Sequence, residues 1–415
     1  MASKAPAKKP SAKKPSSAAK AKGSDGAKKP KKSSKMKLNA SWKTILLLIV
    51  LLALAIDVAF SFLPKESVPE LLKPLHNNVV ATRNTVVAKS GLPVSRYEDN
   101  ITIPVEDALP VKIHFAPSPN ISIALDNFIS GAKNSLSICA YDIKLPDAAD
   151  AMIAAAKRGV KVRVVTDTDN MKNIEIQRLE NAGIPVKQDH KNSIMHNKFI
   201  VSDGYRVWTG SYNFTPNCSF KNDNNALEIN SPALALCYQA KFYEYWKGEF
   251  SQSAPRLEVN QNATLGNISI SALFSPSAGV QSSILKELTQ TRSKVDVMAF
   301  AFTSKEIAEK LRSLASTGVQ VRCLLDGEQA ENQYSQAGFF NKTPGIKLRI
   351  SANHSGKMHN KVIIIDSDTV ITGSYNFTRN AEMNNDENAL IIRSNDIANA
   401  YEAEFQRCWD GVKGY

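Results

Sequence analysis

The stretch MHNKFIVSDGYRVWTGSYNFT, residues 195–215, aligns without a gap to MHNKVIIIDSDTVITGSYNFT, residues 358–378. The two stretches are identical at 14 of 21 positions. Shorter matches precede them in the same order, such as AAKRGVKVRVVTD before the first and LASTGVQVRCLLD before the second. The chain therefore contains two copies of one unit, which we place at 111–250 and 269–415 with a polar linker at 251–268.

Each copy alternates apolar β-branched runs with amphipathic stretches. The runs LSICAYDI and VDVMAFAF predict strands, and DAADAMIAAAKRG and SKEIAEKLRSLASTG predict the helices that follow them. This order predicts an α/β fold in which helices cover the sheet. A repeat of this length is too long for a solenoid and indicates two similar halves that pack about a pseudo-twofold axis.

Polar side chains recur at fixed positions inside the repeated stretch. Side chains at i and i+2 of a strand share a face, so each copy should present an imidazole with an ammonium and a hydroxyl with an amide. The candidate catalytic residues are His196, Lys198, Ser211 and Asn213 in the first copy and His359, Lys361, Ser374 and Asn376 in the second.

Two such sets across a twofold axis suit a phosphodiester. Lysines and amides can hold the non-bridging oxygens and stabilise the charge of the transition state. One histidine can attack phosphorus while the other protonates the leaving oxygen and then activates water. This chemistry predicts neither a metal ion nor a cofactor.

The motif H-x-K-x4-D followed by G-S-x-N, present twice, resembles the phospholipase D superfamily. The GSYNFT form resembles its small branch, which includes bacterial endonucleases and mitochondrial cardiolipin hydrolases. The resemblance implies paired halves with mixed β-sheets, a phosphohistidine intermediate and metal-independent cleavage or transfer. Asp203 and Asp366 complete the motif, but their odd offset from the histidines would turn them to the other face of a continuous strand. We therefore expect a structural role for both.

The two copies differ 28 residues after each histidine. Glu387 follows His359 at this distance, whereas Asn224 follows His196. In family members this position often carries the carboxylate that orients a catalytic imidazole. The resemblance implies that Glu387 reaches across the twofold axis to His196. We therefore predict that His196 is the nucleophile and His359 the general acid and base.

The net charge of +13 over 415 residues arises entirely in the N-terminal segment. Residues 1–43 carry fourteen lysines and one acidic residue, and the other 372 residues carry 38 basic and 38 acidic groups. The composition of this segment predicts a disordered tail. Residues 44–63 form an apolar run of 20 residues, long enough to cross a bilayer as a helix. A cleaved signal peptide is the alternative, but its basic region would be unusually long. Residues 64–110 are interpreted as a stalk.

Lysines before the span predict a cytoplasmic N-terminus and an extracytoplasmic or lumenal catalytic part. The expected partners are the bilayer and a phosphodiester, with the tail able to bind anionic lipid or nucleic acid; no obligate protein partner is implied. We favour a membrane-anchored lipid phosphodiesterase. A membrane-anchored nuclease is the alternative, weakened by the neutral charge of the catalytic part. A non-enzymatic tether with a relic site is a third hypothesis, disfavoured because both motifs are intact.

Overall fold

The computed structural model describes residues 110–190, 193–254, 256–257, 259–351 and 356–412. The predicted tail (1–43), membrane span (44–63) and nearly all of the predicted stalk lie outside these residues. Within the described ranges, no helix combines the length and the apolar character needed to cross a bilayer.

As far as the structure describes it, the first half is one seven-stranded sheet with five α-helices. Its elements in chain order are β1 (Val111–Ala116), α1 (Pro119–Ser130), β2 (Ser135–Ala140), α2 (Pro146–Lys157), β3 (Lys161–Thr166), a 3-10 turn (Thr168–Asn170), α3 (Ile174–Asn181), β4 (Val186–Gln188), β5 (Lys198–Ser202), β6 (Arg206–Gly210), α4 (Pro216–Phe220), β7 (Asn224–Asn230) and α5 (Pro232–Lys247).

The second half repeats this order with one additional strand. After a 3-10 turn (Ser251–Ser253) come β8 (Asn262–Leu265), β9 (Ile268–Ser275), α6 (Val280–Thr289), β10 (Lys294–Ala299), α7 (Lys305–Ser316), β11 (Gln320–Asp326), α8 (Gly327–Ala330), α9 (Ala337–Asn341), β12 (Ile346–Ser351), β13 (Lys361–Ile365), β14 (Thr369–Gly373), α10 (Arg379–Met383), β15 (Glu387–Arg393) and α11 (Asn395–Asp410).

Both sheets are mixed and share one strand order. The first runs β1-β7-β6-β5-β2-β3-β4, and the second runs β9-β15-β14-β13-β10-β11-β12 with β8 added beside β9. Strands β2, β3 and β4 are parallel, as are β10, β11 and β12, and the remaining pairs are antiparallel. The predicted α/β class with two mixed-sheet halves is confirmed. The segment 251–268, predicted as a linker, contains β8, which pairs with β9 through the alternating sequences NATL and ISIS.

In the described ranges, three apolar clusters form the core. One lies beneath α1, α2 and α3 on the outer face of the first sheet, and another beneath α6 and α7 on the second. The third joins the inner faces of both sheets with α5 and α11, and Phe199 of β5 contacts Phe274 of β9 within it. Strands β5 and β13 are buried on both faces, which explains their continuous apolar runs.

Candidate active site

The two histidines lie immediately before the central strands of their sheets. His196 precedes β5, which begins at Lys198, and His359 precedes β13, which begins at Lys361. Lys198 Nζ donates to the carbonyl oxygen of His196, and Lys361 Nζ donates to that of His359 at 2.6 Å. In both halves, the backbone carbonyl of the histidine thus fixes the ammonium group of the lysine two residues later.

The backbones of the two halves are hydrogen-bonded to each other at the histidines. His196 N donates to Asp386 O at 2.9 Å, and His359 N donates to Asp223 O at 2.9 Å. Two isolated parallel bridges, Met195 with Asp386 and Asp223 with Met358, accompany these bonds. Each contact has its counterpart after exchange of the halves, which is the pattern of a twofold interface.

Buried amides reinforce this interface. Asn388 Nδ2 donates to Asn197 Oδ1 at 2.8 Å, and Asn225 Nδ2 donates to Asn360 Oδ1 at 2.7 Å. All four asparagines are fully buried. Satisfied polar pairs in such a setting fix one arrangement of the interface, because any shift would leave buried amides unpaired.

The imidazoles differ in the partner that holds them. His196 Nδ1 lies 2.7 Å from Glu387 Oε2, and His359 Nδ1 lies 2.7 Å from Asn224 Oδ1. Both bonds cross from one half to the other, and Glu387 lies against His196, as the resemblance to the phospholipase D superfamily implied. Each bond occupies Nδ1 and leaves Nε2 as the reactive nitrogen of the ring.

The remaining motif residues surround the same point. Ser211 Oγ donates to Asn224 Oδ1 at 3.2 Å, and Ser374 hydrogen-bonds the Glu387 carboxylate. The buried Oδ1 atoms of Asn213 and Asn376 have no hydrogen-bond partner among the described residues. These oxygens are unpaired acceptors, one from each half, and the Nδ2 group of the same amides is the donor that a phosphate oxygen would need.

Glycine is required beside each of these sets. Gly210 has φ +148°, and a Cβ there would lie 2.4 Å from Asn225 O. Gly373 has φ +146°, and a Cβ there would lie 2.4 Å from Asn388 O. The close approach of β6 to β7, and of β14 to β15, places the serine that follows each glycine against the strand that carries Asn224 or Glu387.

The histidines and lysines of the site are buried, and Asn213 and Asn376 are its more exposed motif residues. Lys198 and Lys361 are each 1% exposed, whereas His196 and His359 are 6% and 7% exposed. Burial lowers the pKa of both imidazoles well below its ordinary value, and the two neighbouring ammoniums lower it further. Both rings are therefore neutral at rest.

The lysines are destabilised as cations for the same reason. Burial lowers the pKa of Lys198 to about 7, and burial together with the charge of Lys198 lowers the pKa of Lys361 well below its ordinary value. Burial raises the pKa of Glu387, and the charge of Lys198 counteracts that rise. An anion bound between the two halves would relieve this crowding of positive charge.

Aromatic rings that the sequence reasoning missed line both halves. Tyr141, after β2, lies with its ring centroid 5.0 Å from that of His196, and Phe300, after β10, lies 4.9 Å from that of His359. Lys198 Nζ lies 5.1 Å from the centroid of Tyr141, and Lys361 Nζ lies 4.9 Å from that of Phe300. These rings hold an ammonium without neutralising it.

Two further pairs were also missed. Asp167 Oδ2 accepts from Met195 N, and Asp326 Oδ2 accepts from Met358 N, each at 3.0 Å. Both bonds hold the residue before a histidine. Like the interface asparagines, these aspartates occupy equal positions in the two copies, so identity between the copies was the signal that could have identified them.

Asp203 and Asp366 lie away from the histidines. Both occupy the turn after a central strand, with φ of 53° and 49°. Asp203 accepts from the backbone N–H groups of residues 133–135, and Asp366 accepts from those of 292–294. These bonds lower the pKa of Asp366 to about 2. Each carboxylate thus fastens the start of β2 or β10 at the edge opposite the site.

One group of side chains in the described residues has the spacing of a metal site, formed by Asp223, Glu404 and Cys408. The guanidinium of Arg407 hydrogen-bonds both Asp223, at 2.8 Å, and Glu404, at 2.7 Å. Because Arg407 already supplies the positive charge, these residues do not form a favourable cation site.

Comparison with known proteins agrees with this geometry. The model of the family described as "Cardiolipin synthase, PLD-like domain" matches residues 125–246 and 284–409, more than half of the chain. A mitochondrial cardiolipin hydrolase of Xenopus laevis is 34% identical over 143 residues, which cover 33% of this chain and 68% of the relative. A phospholipase D of Rickettsia felis is 31% identical over 152 residues, covering 36% of this chain and 74% of the relative.

Among solved structures, phosphatidylserine synthase of Haemophilus influenzae superposes with a TM-score of 0.57. The match covers 73% of this chain and 87% of the synthase at 14% identity, so it bears on the fold alone. The alignments with the hydrolase and the phospholipase D are about as long as one half of this chain, whereas the structural match extends over both halves.

Proposed function

Because the chain belongs to the phospholipase D superfamily and is a hydrolase of the phosphodiesterase type, we propose that it is a membrane-anchored enzyme that hydrolyses phospholipid phosphodiesters through a phosphohistidine intermediate. The observation that carries the mechanism is the pair of unequal bonds that hold the imidazoles, His196 to Glu387 and His359 to Asn224. The anchor is the apolar run 44–63. The catalytic part then lies on the extracytoplasmic or lumenal side.

The first step is attack of His196 Nε2 on phosphorus. The Nδ1–H group donates a hydrogen bond to Glu387, so the lone pair of Nε2 is free. The carboxylate then stabilises the positive charge that the ring acquires as the P–N bond forms. The bond from phosphorus to the leaving oxygen breaks, and His359 Nε2 gives that oxygen a proton. The substrate anion raises the pKa of His359 so that this proton is present.

The second step returns the enzyme to its starting state. His359, now neutral, takes a proton from water as the water oxygen attacks phosphorus. The P–N bond breaks, His196 regains its lone pair, and a phosphomonoester leaves. Lys198 and Lys361, with the amides of Asn213 and Asn376, stabilise the equatorial oxygens in both steps.

A lipid substrate is supported by the charge of a groove whose lining includes Lys357, two residues before His359. This groove of about 740 Å³ is lined by Lys221 and Lys357, but also by Asp326, Glu328 and Glu331. Lys357 Nζ lies 3.0 Å from Glu328 Oε2, so its charge is already paired. A surface that tracks a nucleic-acid backbone needs an excess of cations. The names of the hydrolase and phospholipase D relatives also support lipid, which we favour over a nuclease.

The test is hydrolysis by the full chain in detergent, assayed on cardiolipin, phosphatidylcholine and single-stranded DNA in EDTA. We expect release of phosphatidic acid, and EDTA should not reduce it. His196→Ala should abolish the reaction. Lys347→Met, at an exposed lysine of β12, should leave it unchanged. Cleavage of DNA with intact lipids would establish the nuclease instead. Dependence on a chelatable metal would contradict the mechanism.

A further inference from the structure

Large exposed apolar side chains are concentrated in a few loops. Among the described residues, four of the five such side chains are Ile174, Phe220, Tyr334 and Met383, exposed by 70%, 53%, 68% and 47%. The fifth is Ile123 of α1. Single exposed apolar residues are common on protein surfaces, so their distribution is what carries information.

All four follow the sheets at the edge that carries the histidines. Strand β3 runs parallel to β2, whose last residue, Ala140, pairs with Lys198, so the chain leaves β3 at the site and continues to Ile174. Tyr334 follows β11, the equivalent strand of the second half. Phe220 ends α4, just before the strand with Asn224, and Met383 ends α10, just before Glu387.

The arrangement is repeated in both halves. Phe220 and Met383 are equivalent positions in the two copies, each four residues before the position occupied by Asn224 or Glu387. Ile174 and Tyr334 lie in equivalent connections. Two apolar side chains from each half therefore lie around the shared site, and we call these four residues the apolar rim.

Exposed cations accompany three of the four rim residues, whereas Tyr334 follows the exposed Glu331. Lys172 lies two residues before Ile174, Lys221 follows Phe220, and Arg379 begins the helix that ends at Met383. None of these three cations forms an ion pair with a carboxylate in the described part of the chain. Apolar side chains next to unpaired cations are typical of surfaces that enter the headgroup region of anionic bilayers.

We propose that the apolar rim docks on an anionic lipid bilayer and turns the two histidines toward the headgroups. This inference rests on the proposed function and extends it by naming the surface that meets the lipid. Docking brings a phosphodiester of the same bilayer to the mouth of the site, so a protein already held at the membrane gains an orientation as well as a high local concentration.

The direct test places an environment-sensitive NBD label on the rim. The described part of the chain contains all five native cysteines, and all are buried, so Phe220→Cys offers an accessible thiol in the full chain. Phosphatidylcholine vesicles containing cardiolipin should shift the emission of this label to the blue, and brominated lipid should quench it. A label at Gln320→Cys, an exposed position that begins β11 at the opposite edge, should not respond.

Two results would overturn docking on lipid itself, and a third would overturn its orientation. One is that each label emits at the same wavelength with vesicles as in detergent. The other is a blue shift that depends on protein concentration without lipid, which would assign the rim to contact with a second copy. A response equal at both labels would equally contradict an oriented surface.

Activity separates this inference from the proposed function. Phe220→Glu with Met383→Glu should reduce turnover of vesicle cardiolipin by about 10-fold or more, since charge removes the gain from apolar burial. Turnover of the soluble diester bis(p-nitrophenyl) phosphate should stay unchanged. Lys161→Gln with Gln320→Glu lowers the net charge equally at the opposite edge and should change neither rate.

The outcomes are distinguishable. If the parent chain cleaves neither substrate, the proposed function fails, while the labels still decide whether the rim meets lipid. If the rim variant cleaves both substrates like the parent chain, the rim inference fails and the proposed function stands.

Discussion

The two halves of this protein share strand order, motif and interface contacts, yet they hold their histidines differently. Glu387 of the second half binds His196, and Asn224 of the first half binds His359, at the same 2.7 Å. A carboxylate can stabilise an imidazolium, whereas an amide oxygen can only orient the ring. A duplicated fold can thus divide two chemical roles between equivalent residues by changing one side chain in each pair.

Removing either histidine should have the largest effect and should reveal the difference. With bis(p-nitrophenyl) phosphate, whose leaving group needs little protonation, His359→Ala should still release one nitrophenol per enzyme in a burst, then stop. His196→Ala should show no burst, and both variants should lose about 10⁴-fold in steady-state turnover. Stopped-flow absorbance measures both phases. A burst from His196→Ala, with none from His359→Ala, would reverse the roles.

Exchanging the partners should exchange the roles. Glu387→Asn alone should lower turnover about 10²-fold, because the ring of His196 loses the carboxylate that stabilises it as a cation. Adding Asn224→Glu places a carboxylate against His359 instead. We expect the double variant to recover part of the activity with the covalent phosphate on His359. If the loss of turnover in the double variant equals the product of the losses in the two single variants, the partner does not assign the role.

The pH profile offers a subtler comparison. Asn224→Asp gives His359 an anionic partner, which raises its pKa, so the acid form persists to higher pH. The alkaline limb of kcat/KM should move up by about one pH unit. Asn217→Asp adds the same charge on an exposed residue of α4 and serves as the control. Equal shifts in the two variants would indicate a general effect of charge.

Binding of inorganic phosphate should depend on pH in a fixed direction. Groups whose pKa is lowered in the empty site take up protons when an anion binds, so affinity should rise as pH falls from about 8 to about 6. Phosphate should then raise the thermal midpoint by a few degrees, more at the lower pH. Lys361→Met should lose this shift, and Lys347→Met should keep it. A shift that grows with pH would contradict the cationic site.

Much of this architecture was accessible from the sequence because it is local. The repeated stretch identified the central strands and the histidine and lysine of each copy, although both histidines lie just before the strand on which they were predicted. Strands β7 and β15 were not predicted as elements, although the residues that they position were. Their pairing with β1 and β9 depends on contacts between segments more than 100 residues apart, which no local pattern records.

The contacts between halves were the least predictable part of the site. The bonds of Asn388 to Asn197 and of Asn225 to Asn360 require two sheets to meet at one register. Asp203 was expected on the far face of a strand, but it occupies a turn with positive φ and fastens another segment. Residue identity between the copies indicates that such positions matter, but only the packed structure shows why.

The central claim is that His196 is the nucleophile because Glu387 supports it. The most direct measurement is to mix the full chain with bis(p-nitrophenyl) phosphate, quench in alkali during the burst, and map the phosphorylated residue by mass spectrometry. The account predicts a phosphoryl adduct on His196 and none on His359. An adduct on His359, or product formation at full rate without any adduct, would contradict it.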